Sequence, residues 1–365
     1  MKITAIETIV LRIPYTTGGS TQAEAWGGRA WATADVLLVK VSTDAGITGW
    51  GEAFGYNAIP ATKAMLDEAI APVVIGRDAL APEALQNELQ QKLHIFGRGG
   101  PVIYALSGLD IALWDIVGKA AGQPLHRLLG GTTRERMTCY ASLIRYGEPD
   151  VVAANVRRAV SDGFTAIKLH EITLPAIRAA RDAAPDARLM LDVNCPWSLQ
   201  EALAIAPALR EVNPFWLEEP VWPPEDFTAL ATVRARGGMP IAAGENAATL
   251  AQYHQMYAAG AVDISQPSPA KMGGVSELRK VFTLAAAHNV TVVPHTFYDG
   301  PAFLAGLHVS AVHQRDPFVE WRYFDLEAPL YGEAGRPVNG SVAIPQSPGL
   351  GMDPDPAVIA KYRAG

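Results

Sequence analysis

The sequence predicts an α/β fold: a parallel (β/α) barrel preceded by a smaller α+β region. Two observations carry this. After about residue 135, short apolar runs recur, and most gaps between them can hold a helix. Three runs end in an acid, Asp192, Glu218 and Glu245, at intervals of 26 and 27 residues, about one βα unit.

The N-terminal part reads differently. "MKITAIETIVLRI" and "ADVLLVKVSTDAGITGWGEA" predict antiparallel strands, with "DAG" at the hairpin turn. Residues 15–31 carry neither period and predict a mobile loop holding Trp26, Arg29 and Trp31. Residues 60–125 are helical in pattern. "IYALSGLDIALWDIVGKAAG" is the strongest helix, ended by Gly122 and Pro124.

The barrel strands are "TCYASLI", "TAIKLH", "RLMLDVN", "PFWLEEP", "PIAAGEN", "VDISQP", "TVVPHT" and "FVEWR". "SLQEALAIAPALREV" and "GGVSELRKVFTLAAAHN" are two of the helices between them. A doubly wound open sheet is the rival. It would want a Gly-rich phosphate loop after a strand, and the sequence offers none.

Composition narrows the function. With 49% hydrophobic and 18% charged residues, the chain can bury a large core. A net charge of −7 argues against nucleic acid or an anionic membrane as partner. No apolar run is expected to span a membrane, and no apolar signal segment opens the chain. Cys139 and Cys195 form neither a disulfide framework nor a zinc spacing. The expectation is a cytoplasmic protein.

Equal placement at three successive strand ends brings Asp192, Glu218 and Glu245 to one end of the barrel. Three carboxylates together repel one another unless a cation sits among them. An all-oxygen set favours Mg²⁺ over zinc. Glu219 and Asn194 compete for a ligand or supporting role. A lone strand-end acid would be a solvated loop residue; three in matching positions argue otherwise.

On these residues the chain resembles the enolase superfamily, in the mandelate racemase and muconate lactonizing enzyme branch. "ALSGLDIALWDIVGKAAGQPLHRLLGG", "LDVN", "WLEEP", "GEN", "KMGG" and "IPQSPGLGMD" carry the resemblance over essentially the full length. It implies a modified TIM barrel, (β/α)7β, over residues 131–325. An α+β cap would occupy 1–130, and residues 326–365 would return to it. It further implies Mg²⁺ on Asp192, Glu218 and Glu245, a homo-oligomer, and removal of the proton α to a small carboxylate, a sugar acid or related compound. In such sites a Lys or His base works with Mg²⁺.

The resemblance assigns Lys168 as base. Mg²⁺ and His170 beside it would pull its pKa down. His170 replaces a lysine common in this branch; it is expected to orient Lys168 or touch substrate, and stands third after Lys168 and His295 as a catalytic residue. His295 matches the acid/base across the site. Ser268 stands where the branch carries the aspartate that orients this histidine, or else a lysine. Lys271 is expected to be a support residue. Glu320 matches an acid, with raised pKa, that donates to the substrate carboxylate; its alternative is a salt bridge with Arg322 or Lys271. Substrate contacts are expected from Trp26, Arg29, Trp31, Tyr56 and Asn57 in the cap, with Asn194 and Ser268 in the barrel.

The first functional reading is an acid-sugar dehydratase. The alternatives are a racemase or epimerase, a lactone cycloisomerase, and a non-catalytic ligand-binding protein.

Overall fold

The computed structural model describes residues 1–19, 31–314 and 318–364. Three strands open the chain: β1 (Ile3–Thr16), β2 (Thr33–Thr43) and β3 (Thr48–Ala53). They form an antiparallel meander, and Gly46 takes φ 76° in the tight β2–β3 turn. Strand β2 is apolar on both faces for a reason. Leu37, Val39 and Val41 pack on the cap helices, while Val36 and Leu38 pack under the C-terminal segment.

The helix Pro101–Ala121 lies against β3, ending at Gly122 with φ 64°. The approach is backbone to backbone: a Cβ on Gly51 would lie 1.9 Å from Gly108 O. By length and composition this helix could cross a membrane, which the sequence reading did not expect. It is 78% buried over its most apolar stretch, as a core helix is.

Eight parallel strands follow: β4 (Arg136–Ser142), β5 (Ala166–Leu169), β6 (Arg188–Asp192), β7 (Trp216–Glu218), β8 (Ile241–Ala243), β9 (Ile264–Ser265), β10 (Thr291–Val292) and β11 (Phe318–Arg322). Their order is β10-β9-β8-β7-β6-β5-β4-β11. A helix follows each of β4 to β10, whereas β11 runs on to another strand with no helix between them, giving (β/α)7β. Between β10 and β11, Thr296 Oγ1 donates to Glu320 O at 2.9 Å and helps close the barrel. Tyr140, Ala166, Met190, Trp216, Ala242, Val293 and Phe318 fill the interior.

The rest of the chain turns back. Strand β12 (Asp325–Leu326) pairs with β1, and β13 (Ser341–Ala343) pairs with β4. The helix Pro356–Tyr362 packs on β1, and Ala364 N–H donates to Val10 O at 2.8 Å. The segment expected to be loop from residue 15 begins later, since β1 runs to Thr16 and Tyr15 pairs with Leu326. Residues 20–30 lie outside the described residues.

Candidate active site

Side chains at the C-terminal ends of the barrel strands build the site. Asp192 and Glu218 end β6 and β7, and Glu245 lies two residues beyond β8. One oxygen from each lies within 4.8 Å of the others. Asn194 supports Asp192 Oδ1 through its backbone N–H at 3.1 Å and its Nδ2 at 2.9 Å. Trp216 Nε1 donates to Glu218 Oε2 at 2.9 Å. Glu219 points elsewhere and accepts from Asn246 Nδ2 at 2.8 Å.

Lys168 reaches into this cluster from β5. Its Nζ lies 3.1 Å from Asp192, 3.0 Å from Glu218 and 2.8 Å from Glu320. His170 Nε2 lies 3.2 Å from Asp192 Oδ2, the same oxygen that Lys168 meets, and its Nδ1 meets Leu143 O. The two bases that alternate along one strand thus converge on one metal-ligand candidate.

Lys168 and Glu320 set each other's charge. Lys168 was expected to be lowered by Mg²⁺ together with His170. Burial does oppose its charge, but Glu218, Glu320 and Asp192 outweigh burial and push it well above its usual range. Glu320 was expected to be raised. Burial acts that way, but the Lys168 ammonium and His295 overcome it and hold the carboxyl below its usual range. Glu320 therefore pairs with Lys168, while Arg322 pairs with Asp299 and Lys271 with Glu245.

The triad itself is unevenly held. Burial, then the Asp192 charge, push Glu218 well up. Burial would also raise Asp192 and Glu245. Lys168 and His170 pull Asp192 down, and His295 and Lys271 pull Glu245 down. Several buried acids with two lysines among them leave negative charge to neutralise. An oxygen-only donor set fits a hard dication such as Mg²⁺.

His295 stands on the other flank, beyond β10. Its Nε2 lies 3.1 Å from Glu245 Oε2. Its Nδ1 lies 3.3 Å from Ser268 Oγ, which in turn bonds the Tyr298 hydroxyl. Burial lowers the pKa of His295, although Glu245 and Glu320 act to raise it.

From the cap, Tyr56 donates to Phe297 O at 3.2 Å and packs on Trp31, ring centroids 4.8 Å apart. Trp31, Tyr56 and Asn57 line one cavity of about 830 Å³. Trp26 and Arg29 lie outside the described residues. Sequence reasoning missed Arg145, whose Nε donates to His170 O at 2.5 Å and whose Nη2 reaches Asn194 Oδ1 at 3.3 Å. It also missed Tyr298, Arg322 and Asp299 as parts of the site. Strand alternation from Glu320 was the available signal for Arg322.

An acidic triad at the mouth of a capped (β/α)7β barrel defines an enolase-type enzyme site. Residues 25–130 match the mandelate racemase / muconate lactonizing enzyme N-terminal domain, and residues 151–358 match the enolase C-terminal domain-like family. The chain belongs to the mandelate racemase / muconate lactonizing enzyme branch of the enolase superfamily. It is 35% identical to a D-galactarolactone cycloisomerase of Agrobacterium fabrum, covering 100% of this chain and 99% of that one. It is 29% identical to an arabinonate dehydratase of Saccharolobus solfataricus, over 90% of this chain and 91% of that one. A mandelate racemase/muconate lactonizing protein of Paracoccus denitrificans, solved with magnesium, superposes with a TM-score of 0.86. It is 28% identical, with 100% of this chain and 98% of that one covered.

Proposed function

We propose that this protein uses Mg²⁺ to remove the proton α to the carboxylate of a sugar acid and then expels the oxygen on the β-carbon. The reading is an acid-sugar dehydratase. One observation carries it: Lys168 and His295 flank the triad from opposite sides, Lys168 against Asp192 and Glu218, His295 against Glu245.

Asp192, Glu218 and Glu245 would hold the Mg²⁺. When bound, it supplies positive charge that stabilises the enediolate more than the ground state. Lys168 would first pass its ammonium proton to Glu320, 2.8 Å away; the Glu320 carboxyl would then donate to the reacting carboxylate, and neutral Lys168 would accept the α-proton. The C–H electron pair becomes the C=C bond and the β C–O bond breaks. His295 gives the departing hydroxide its proton, and the enol product tautomerises to an α-keto acid. His170 and Asn194 fix Asp192, Ser268 positions His295, and Tyr56 with the rest of the cap encloses the substrate. The cytoplasmic, homo-oligomeric state is part of this reading, on composition and resemblance.

A second reading has its own observation. Ser268 and Tyr298 put neutral hydroxyls behind His295 Nδ1, where a carboxylate would stabilise an imidazolium. A hydroxide leaving group needs a proton. The alkyl oxygen of a lactone leaves as a carboxylate and needs none. The second reading is therefore a lactone cycloisomerase, the activity named for the Agrobacterium relative.

The test is solvent deuterium incorporation with acid sugars and their lactones, with and without chelator, alongside mass spectrometry of the products. Mg²⁺-dependent α-exchange with keto-acid formation is expected. No exchange with any of them would overturn the proposal. Exchange with inversion and no keto acid would make the protein a racemase.

A further inference from the structure

Arg322 ends β11, two residues beyond Glu320. Alternate residues of a strand share a face, and Phe318, Glu320 and Arg322 are all buried. Phe318 joins the barrel interior and Glu320 meets Lys168. Arg322 is the next position toward the mouth, about 7 Å along the strand.

A buried guanidinium is costly unless its donors are used. Arg322 is only 4% exposed. Asp299 pairs with its Nη2, and its guanidinium lies 5.3 Å and 4.7 Å from the ring centroids of Phe297 and Phe324. Yet Nε has no hydrogen-bond partner among the described residues, and Asp299 is the one acid that meets Nη2 there. Arg322 also lines the cavity of about 830 Å³ that Trp31, Tyr56 and Asn57 line from the cap. Arg12, Lys63 and Arg363 line it too, against one acid, Asp35, among the described residues. Each of these three pairs with an acid, Arg12 with Asp35, Lys63 with Asp67 and Arg363 with Glu7.

We propose that Arg322 is a specificity-determining residue that receives a carboxylate at the far end of the substrate, making the enzyme selective for a sugar diacid or its monolactone. The proposal rests on the α-proton chemistry assigned above. Glu320 and Lys168 mark where the reacting carboxylate sits. One strand repeat further on, about the length of an extended acid sugar, the planar fork of Arg322 suits the flat, two-oxygen face of a second carboxylate. In a diacid that carboxylate is present on binding. In a monolactone it forms when the β C–O bond breaks, as the ring oxygen keeps the electron pair and leaves as part of a carboxylate. Arg322 therefore acts on binding in the first case and on the transition state in the second.

The experiment measures kcat and KM for a panel of hexaric diacids, their monolactones and the aldonic acids of matching stereochemistry. Wild-type kcat/KM should favour the best diacid or lactone over its aldonic acid by about a hundredfold or more. Arg322→Gln should erase that preference, through KM on the diacid and kcat on the lactone, costing these substrates at least about tenfold more than the aldonic acid. Arg322→Lys should restore part of it. On the wild-type enzyme, converting the far carboxylate to its amide should cost the same factor, a check that needs no variant to fold. Equal losses on all substrates would make Arg322 structural and overturn the proposal. So would a wild-type enzyme indifferent to the far group. α-Deuterium exchange without discrimination sinks only the Arg322 assignment, whereas no exchange with any acid sinks the underlying reaction.

Discussion

The two flanks of the acidic triad bury their bases in opposite surroundings. Lys168 sits among three carboxylates, each within 3.1 Å. His295 meets one carboxylate through Nε2 and has hydroxyls behind Nδ1. The first flank stores negative charge that a dication would share with the ammonium. The second holds an imidazole that burial disfavours in its charged form, although Glu245 and Glu320 act to charge it. The difference teaches that the flanks are not two copies of one base: the reading assigns abstraction to the charged side and leaving-group protonation, where needed, to the neutral side.

The largest effect should come from emptying the charged flank of its cation. Glu218→Gln keeps the shape and removes a ligand charge. It should cut turnover by at least about a thousandfold, abolish the heat of Mg²⁺ binding, and leave the circular dichroism spectrum unchanged. Unaltered turnover, or undiminished rate in excess chelator, would break the metal assignment.

Next is the base itself. Lys168→Ala should reduce α-deuterium exchange by about 10²–10⁴-fold. Full exchange in this variant with none in His170→Asn would transfer the role to His170. On the neutral flank, His295→Asn should slow loss of a hydroxyl by about a hundredfold yet slow opening of a lactone by less than about tenfold. Equal slowing on both would erase the distinction between the flanks.

The smallest effect comes from a reference histidine away from the site. His308 is fully buried, 3.1 Å from His126 by their Nδ1 atoms, and burial lowers its pKa from 6.5 to about 4. Unlike His295, it has no carboxylate acting on it. Between those pH values the unfolded chain binds a proton that the folded chain refuses, so stability falls as pH drops through the window. The loss is roughly 3 kcal/mol at most. Urea denaturation of His308→Gln across that range should show a shallower pH slope. An unchanged slope would mean that His308 keeps no such shift.

Much of this was legible in the sequence because strand alternation and βα spacing are local rules. The regular intervals between Asp192, Glu218 and Glu245 were enough to bring them together. The charge state of Lys168 was not legible, because it depends on Glu320, which reaches the same nitrogen from the far end of the barrel sequence. The sequence reading gave Glu320 the substrate carboxylate, with Arg322 or Lys271 as the alternative, and not Lys168. Arg322 was read only as a possible partner for Glu320, since its true partner Asp299 lies in an irregular stretch with no period to follow. The apolar helix Pro101–Ala121 escaped as a long span because its two aspartates break the run. In the fold they are buried, Asp110 bonding Ser276 and Asp115 bonding Trp50 N–H.

The return of the chain to its first strand also imposes an order in time. Strand β1 leaves the ribosome ahead of the barrel, but its partners at 325–326 and 363–364 follow the whole barrel. During synthesis, that end of β1 and the apolar row of Ile9, Leu11 and Ile13 must wait uncovered while eight barrel strands are made. Completion of the cap is thus a late, long-range event, and the nascent chain carries an open sheet edge until then.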